Sequence, residues 1–316
     1  MRRKSDTSMH ALAAKLGVSP ATVSRALNNS PLISEPTRKR VIAAAREMKL
    51  LRNRKSVAVL IPGLWPDMTH LVFHYMKYLF IEAEKRHWRI EYIHVDQLDM
   101  LNERIIDGII SLDYMFDLGR RFSRTYALPI VCINEYASRM TDSMSVVSDE
   151  RANMRELVSL LAGNGHSEIG LFFAGPPDNY ITKMRRETFM DQTGALGVSG
   201  FEASDLDENG YSDCEKSFAE LYSKKITALI CCGEKCIEKI YPFFREMRIS
   251  VPRRLEVAAW YYSDIRCFLN DKINVVEQNY PLIAKYAFEL LERKLDGEKE
   301  IENKLVKYRF FPRDGM

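Results

Sequence analysis

The chain has 316 residues, 46% hydrophobic and 28% charged, with a formal net charge of +3 and six cysteines. No run of about 18 or more apolar residues is present to span a membrane, and the charged N-terminus carries no apolar signal core, so a cytoplasmic protein is expected. The charge is uneven: residues 1–55 hold 13 Lys or Arg against 3 Asp or Glu, a net of +10, and the remainder carries −7. A basic unit on an acidic body is the electrostatic footprint of a nucleic-acid-binding head, because phosphate contacts supply most non-specific affinity.

In chain order, Met9, Leu12, Ala13 and Leu16 fall at the i, i+3, i+4, i+7 spacing of a short amphipathic helix that Ser8 caps. Gly17 suits a left-handed turn. Ser19 is a good N-cap and Pro20 a good first residue for a second helix through Ala21, Thr22, Val23, Ser24, Arg25, Ala26 and Leu27. Two short helices joined by a tight glycine turn predict a helix-turn-helix, whose second helix enters the major groove of double-stranded DNA. Val23 and Leu27 are expected to pack inward, leaving Ala21 and Arg25 one turn apart on another face. The Arg25 fork fits guanine O6 and N7, and the Ala21 methyl fits only apolar contact, such as a thymine methyl. Thr22, Ser24 and Asn28 suit phosphates or the helix cap. A third helix is expected from Ser34, with Pro36 in its first turn and Val41, Ala45 and Met48 closing a small core.

The body alternates apolar, β-branched runs at 57–61, 90–95, 105–111, 129–133, 169–173, 226–231 and 255–260 with helical patterns. That alternation predicts an α/β fold with parallel sheets, and the length suits two lobes. The helix near 68–83 is apolar on too many sides for a surface helix, including Phe73, Tyr75, Leu79 and Phe80, and predicts a homodimer contact. No glycine-rich phosphate loop, nucleophile elbow or paired His and Glu at metal-ligand spacing occurs, so neither an enzyme nor a cofactor is expected. His166 reads as structural. Cys232 and Cys236 lack a second ligand pair at zinc spacing, so no metal is expected, and the cysteines read as small buried hydrophobes.

The run GVSPATVSRALNNSPLISEPTRKRVIAAAREM resembles the DNA-binding head of the lactose-repressor (LacI/GalR) family of bacterial transcription regulators. The likeness continues through IIDGIISL at 105–112, LPIVCIN at 128–134, GHSEIGLFFAGPPDN at 165–179, TALICCGE at 227–234, RISVPRRLEV at 248–257 and VVEQNYPLIAKYAFELLERKLDG at 275–297. The resemblance implies a three-helix head at 1–50, a short basic linker at 51–56, and a two-lobed periplasmic-binding-protein-like body at 57–316. One lobe would hold about 57–148 and 277–297, and the other about 149–276 and 298–316, with a ligand cleft between them. Family members place a hinge helix with a wedging leucine before the body. Here only Leu50 to Ser56 precede the first strand, too few for a helix, and Arg52 and Arg54 are left to track phosphates or a narrow minor groove.

By the same resemblance, Arg185 reaches the effector, Thr188 replaces a family glycine, and Asp149 lies near the cleft. Glu234 stands where many sugar-binding relatives have Asp. Trp260, Tyr261 and Tyr262 replace a further acidic position, and Trp65 adds a ring. Aromatic faces with a few polar groups suit a saccharide or another flat, partly apolar effector, although the same rings also suit a core with Arg185 in an ion pair. The implied function is a dimeric, sequence-specific regulator on a pseudo-palindromic operator, controlled by a small molecule. A protein partner in place of that molecule, or a sugar-binding protein without a DNA role, are the alternatives.

Overall fold

The computed structural model describes residues 3–27, 32–48, 55–61, 69–103, 106–112, 128–134, 144–174, 180–206, 213–233, 236–261 and 272–313. The head is three helices, α1 (Arg3–Leu16), α2 (Pro20–Leu27) and α3 (Glu35–Glu47). Gly17, at φ +66°, makes the turn, and the Val18 amide closes it on the Ala13 carbonyl at 3.0 Å. Ser19 caps α2, its Oγ accepting the Thr22 amide at 3.0 Å. Ser34 precedes α3 and is not its first residue; its carbonyl accepts the Arg38 amide at 2.9 Å. Leu12, Ala13, Val23, Ala26, Val41, Ala44 and Ala45 form the core. The deep position on α2 belongs to Ala26, and Leu27, expected there, packs on the margin. At about 100° per residue Ala26 and Leu27 flank Val23 on opposite sides, roughly 60° and 40° away, so spacing alone does not say which of them is buried.

Beyond the head, the chain forms β1 (Ser56–Ile61), α4 (Thr69–Lys85), β2 (Arg89–His94), α5 (Met100–Glu103), β3 (Gly108–Ser111), β4 (Ile130–Ile133) and β5 (Met144–Ser148). There follow α6 (Glu150–Gly163), β6 (Glu168–Phe173), α7 (Tyr180–Leu196), β7 (Ser199–Ser204), α8 (Cys214–Ser223), β8 (Ala228–Cys232), α9 (Cys236–Glu246) and β9 (Glu256–Trp260). The chain ends in β10 (Asn274–Glu277), α10 (Tyr280–Leu295), β11 (Lys304–Val306) and β12 (Arg309–Phe311). Two sheets result, ordered β11-β5-β4-β3-β1-β2 and β12-β10-β9-β8-β6-β7. The neighbours from β5 to β2 and from β10 to β7 run parallel, and β12 is antiparallel to β10.

The central strands are buried on both faces because helices cover parallel sheets, and their continuous apolar runs follow from that. In the first sheet Ala58, Leu60, Ile93, Ile109, Ile130 and Cys132 share a core. Gly108 is required there, since a Cβ would come within 2.6 Å of Leu291 on α10. In the second sheet Leu171, Phe173, Ile230, Ala258 and Trp260 pack with Met154, Leu157 and Phe189 of α6 and α7.

Two compact units are formed, Met1–Val146 with Ala284–Asn303, and Val147–Ile283 with Lys304–Met316. The division lies two residues before 148, and the segment returning to the first unit is Ala284–Asn303, where 277–297 had been expected. β5, β7 and β10 were not among the expected strands. Among the described residues, no helix is long and apolar enough to cross a membrane.

Candidate DNA-reading helix and the buried arginine cluster

On α2, burying Val23 and Ala26 turns Ala21 and Arg25 to solvent, one turn apart. Arg25 has no hydrogen-bond or ion-pair partner among the described residues. Thr22 is half-buried and its hydroxyl lies 2.8 Å from Ser19 Oγ, so both side chains serve the cap, and Pro20 and Ser24 are half-buried beside them. Lys15 reaches Glu47 at 2.6 Å, joining α1 to α3 through an exposed pair. Asn28, Arg52 and Arg54 lie outside the described residues. The body starts earlier than the 51–56 linker allows. The Lys55 carbonyl accepts the Arg89 amide at 2.8 Å, and its Nζ lies 5.1 Å from the centre of the Trp88 ring and 3.9 Å from Asp296.

In the second unit, the carboxyl ends of β6, β8 and β9 carry Phe173, Cys232 and Trp260, the edge at which parallel α/β sheets bind ligands. Arg185 of α7 lies there, only 6% exposed. Its Nε donates to Glu150 Oε2 at 2.7 Å and an Nη donates to the Tyr308 hydroxyl at 2.8 Å. The Tyr308 hydroxyl in turn donates to Glu150 Oε1 at 2.6 Å, closing a ring of three side chains. The guanidinium carbon lies 4.6 Å from the centre of the Trp260 ring, which meets Tyr308 edge-on at 5.9 Å. Burial opposes the charge on Arg185, but Glu150, with Tyr308 and Cys232 beside it, holds its pKa well above the ordinary guanidinium value. Burial pushes the Cys232 thiol up to about 12, so at neutral pH it is protonated and no nucleophile.

The other expected effector contacts are placed as follows. Asp149 caps α6, Oδ1 accepting the Ala152 amide at 3.0 Å. Trp260 is buried within the cluster, and its Nε1 has no acceptor among the described residues. Tyr261 is buried and donates to Glu238 Oε1 of α9 at 2.8 Å. Thr188 is buried and donates to the Met184 carbonyl of its own helix at 2.8 Å. Trp65, Glu234 and Tyr262 lie outside the described residues. The structure thus unites Arg185 with Trp260, while Asp149 and Tyr261 each bond elsewhere. His166 sits at the opposite edge of this sheet, 3.0 Å from Thr227 Oγ1 and 3.2 Å from Glu256 Oε2, as a brace between strand starts.

Glu150 and Tyr308 went unnoticed in the sequence. An acidic residue directly after a strand-ending Asp is a usable signal for the first; nothing local marks the second. In the first unit Asn134, just past β4, adopts a left-handed backbone at φ +57° and is buried, its amide donating to the Tyr75 hydroxyl at 2.7 Å. Among the described residues, no group of three or more His, Cys, Asp or Glu is arranged to hold a metal ion.

Residues 8–53 match the family described as bacterial regulatory proteins, lacI family, and residues 158–315 match the periplasmic binding protein-like domain. The HTH-type transcriptional regulator MalR of Streptomyces coelicolor is 24% identical over 311 residues, covering 90% of this chain and 89% of MalR. The HTH-type transcriptional repressor CytR of Escherichia coli K12 is 24% identical over 94% of this chain and 92% of CytR. Among solved structures, the complex of the transcriptional regulator CelR with cellobiose superposes with a TM-score of 0.67 at 18% identity, covering 98% of this chain and 99% of CelR.

Proposed function

Because the chain belongs to the lacI family of bacterial regulatory proteins, and is a DNA-binding transcriptional regulator, we propose that it binds a pseudo-palindromic operator as a homodimer whose body answers a small saccharide. The observation that carries the DNA half is the exposed pair Ala21 and Arg25 on a helix whose other side is sealed into the head core. Arg25 reads a guanine edge, Ala21 makes apolar contact in the groove, and the cap formed by Ser19 and Thr22 points α2 amides toward phosphate. Ser24, Asn28, Arg52 and Arg54 supply further backbone contacts.

The dimer is supported by α4, which buries Leu71, Val72, Tyr75 and Leu79 yet leaves Phe73 63% and Phe80 53% exposed. Two large rings on one helix are apolar surface that a second copy would cover. The effector site is assigned to the carboxyl edge of the second sheet, where Arg185 packs on the Trp260 ring, and Asp149, Tyr261, Trp65 and Glu234 are proposed as its further contacts. A saccharide is favoured because CelR, which this chain resembles in fold, is described in complex with cellobiose. The body has a binding role and no turnover is assigned to it, in keeping with relatives that are regulators.

The test is operator selection from random duplexes, followed by anisotropy titration with and without maltose, cellobiose and trehalose. A selected palindrome whose affinity one of these sugars shifts supports the reading. Operator binding that no sugar moves would refute the saccharide and leave a protein partner as the controlling ligand.

A further inference from the structure

The carboxyl edge of the second sheet is charge-balanced from within. Among the described residues, each charged side chain buried at this edge has its opposite in the same unit. Glu150 is held by Arg185 at 2.7 Å, Asp205, after β7, by Lys239 at 2.6 Å, and Glu277, at the end of β10, by Arg309 at 3.3 Å. Arg185 is the one cation of the three that is itself buried, and both its Nε and one Nη are committed to Glu150 and Tyr308. A buried ion has lost most of its hydration and needs a single compensating charge; a second anion brought to Arg185 would itself be desolvated without a cation to balance it.

We propose that Glu150, by neutralising Arg185, is what bars sugar phosphates and sugar acids from this edge. The proposal rests on the preceding reading in taking this edge as the effector site. Glu150 is a specificity-determining residue by this account: it acts through Arg185, whose free fork would otherwise bind a phosphate or carboxylate in two-point fashion. Tyr308 is a positioning residue, bridging the two.

Calorimetry on the full-length protein tests this with maltose, cellobiose and trehalose as neutral probes, and glucose 6-phosphate and inorganic phosphate as anionic ones. The native protein is expected to take up none of the anionic probes at millimolar concentration. Glu150→Gln, which leaves the guanidinium uncompensated, is expected to take up inorganic phosphate at least about tenfold more tightly than the native chain, and to lose that uptake when Arg185→Met is added. Phosphate or glucose 6-phosphate binding by the native protein, abolished by Arg185→Met alone, overturns the proposal without any need for the Glu150 variant to fold. A folded Glu150→Gln protein that gains no anion affinity overturns it as well. If no neutral probe binds, the saccharide reading fails, but phosphate uptake confined to Glu150→Gln still supports the charge assignment, so the two failures are distinct.

Discussion

Arg25→Ala separates DNA reading from folding. Arg25 is exposed and has no partner among the described residues, and alanine is the better helix former, so the substitution should change head stability by no more than about 0.5 kcal/mol. Losing a two-point contact with guanine costs about 1–3 kcal/mol per half-site, a factor of roughly 5 to 150. In a homodimer both heads lose it, so the whole operator should lose about 2–6 kcal/mol if the half-sites act independently. The assay is anisotropy on the selected operator, on operators changed at each position of both half-sites, and on a scrambled duplex at fixed salt. The variant should bind the scrambled duplex nearly as well as the native protein does, and should become indifferent to the identity of one base pair per half-site. An equal loss on every sequence would make Arg25 a phosphate contact. A head that melts earlier in the variant would show that the side chain has an internal partner, and either result refutes the reasoning.

A fragment beginning at Ser56 should stay folded by circular dichroism and bind no operator, and binding by the full chain should fall steeply as salt rises, since the head carries the excess positive charge. Arg185→Met, which leaves the Glu150 carboxylate buried without its cation, should cost about 3–5 kcal/mol in urea unfolding of the second unit, whereas removing both charges with Glu150→Met and Arg185→Met should cost far less. The Cys232 thiol should resist maleimide labelling in the native state at pH 8, where a pKa of about 12 leaves about one part in ten thousand as thiolate. Because folding raises that pKa, the stability it contributes is present in full below about 8.5 and is lost as pH climbs toward about 12, measurable as a falling urea midpoint. With β1 starting at Ser56 and Lys55 already fixed against Trp88, the stretch before the body offers no room for a wedging hinge helix, so circular-permutation gel shifts should report only a shallow operator bend.

How much of the fold is legible depends on where each element finds its partners. The head reads well because its signals are local, a glycine at positive φ, the Ser19 cap and apolar positions at helical spacing, although Ser8, expected to cap α1, lies inside a helix that starts at Arg3. The central strands read well because both faces are covered, so VAVLI and ALICC are apolar without interruption. β5 does not, since MSVVS is interrupted by serines that are nevertheless fully buried. Their accommodation is non-local: the Ser145 amide donates to Asn303 Oδ1 at 2.8 Å and Ser148 Oγ donates to Gln278 Oε1 at 3.2 Å. β7 is an edge strand, half-exposed and glycine-bearing, and its Gly200 answers to packing, because a Cβ there would lie 2.6 Å from Thr193 Oγ1.

The carboxyl edge of the second sheet shows the same limit more sharply at two adjacent residues. Asp149 was the acidic residue singled out, because it ends an apolar run, yet its position as N-cap folds its carboxylate back onto the first turn of α6, against the Ala152 amide. Glu150, one residue later, has helical geometry, and its side chain leaves the helix to meet Arg185 and Tyr308, 35 and 158 residues away in the chain. A buried guanidinium announces in the sequence only that some anion must stand beside it. Whether that anion comes from a ligand or from the protein is decided by a single helical step, which sends one carboxylate to the backbone and the next into the sheet edge. The electrostatics of that edge follow from that step: with Arg185 answered by Glu150, an anion brought there would meet a cation already paired.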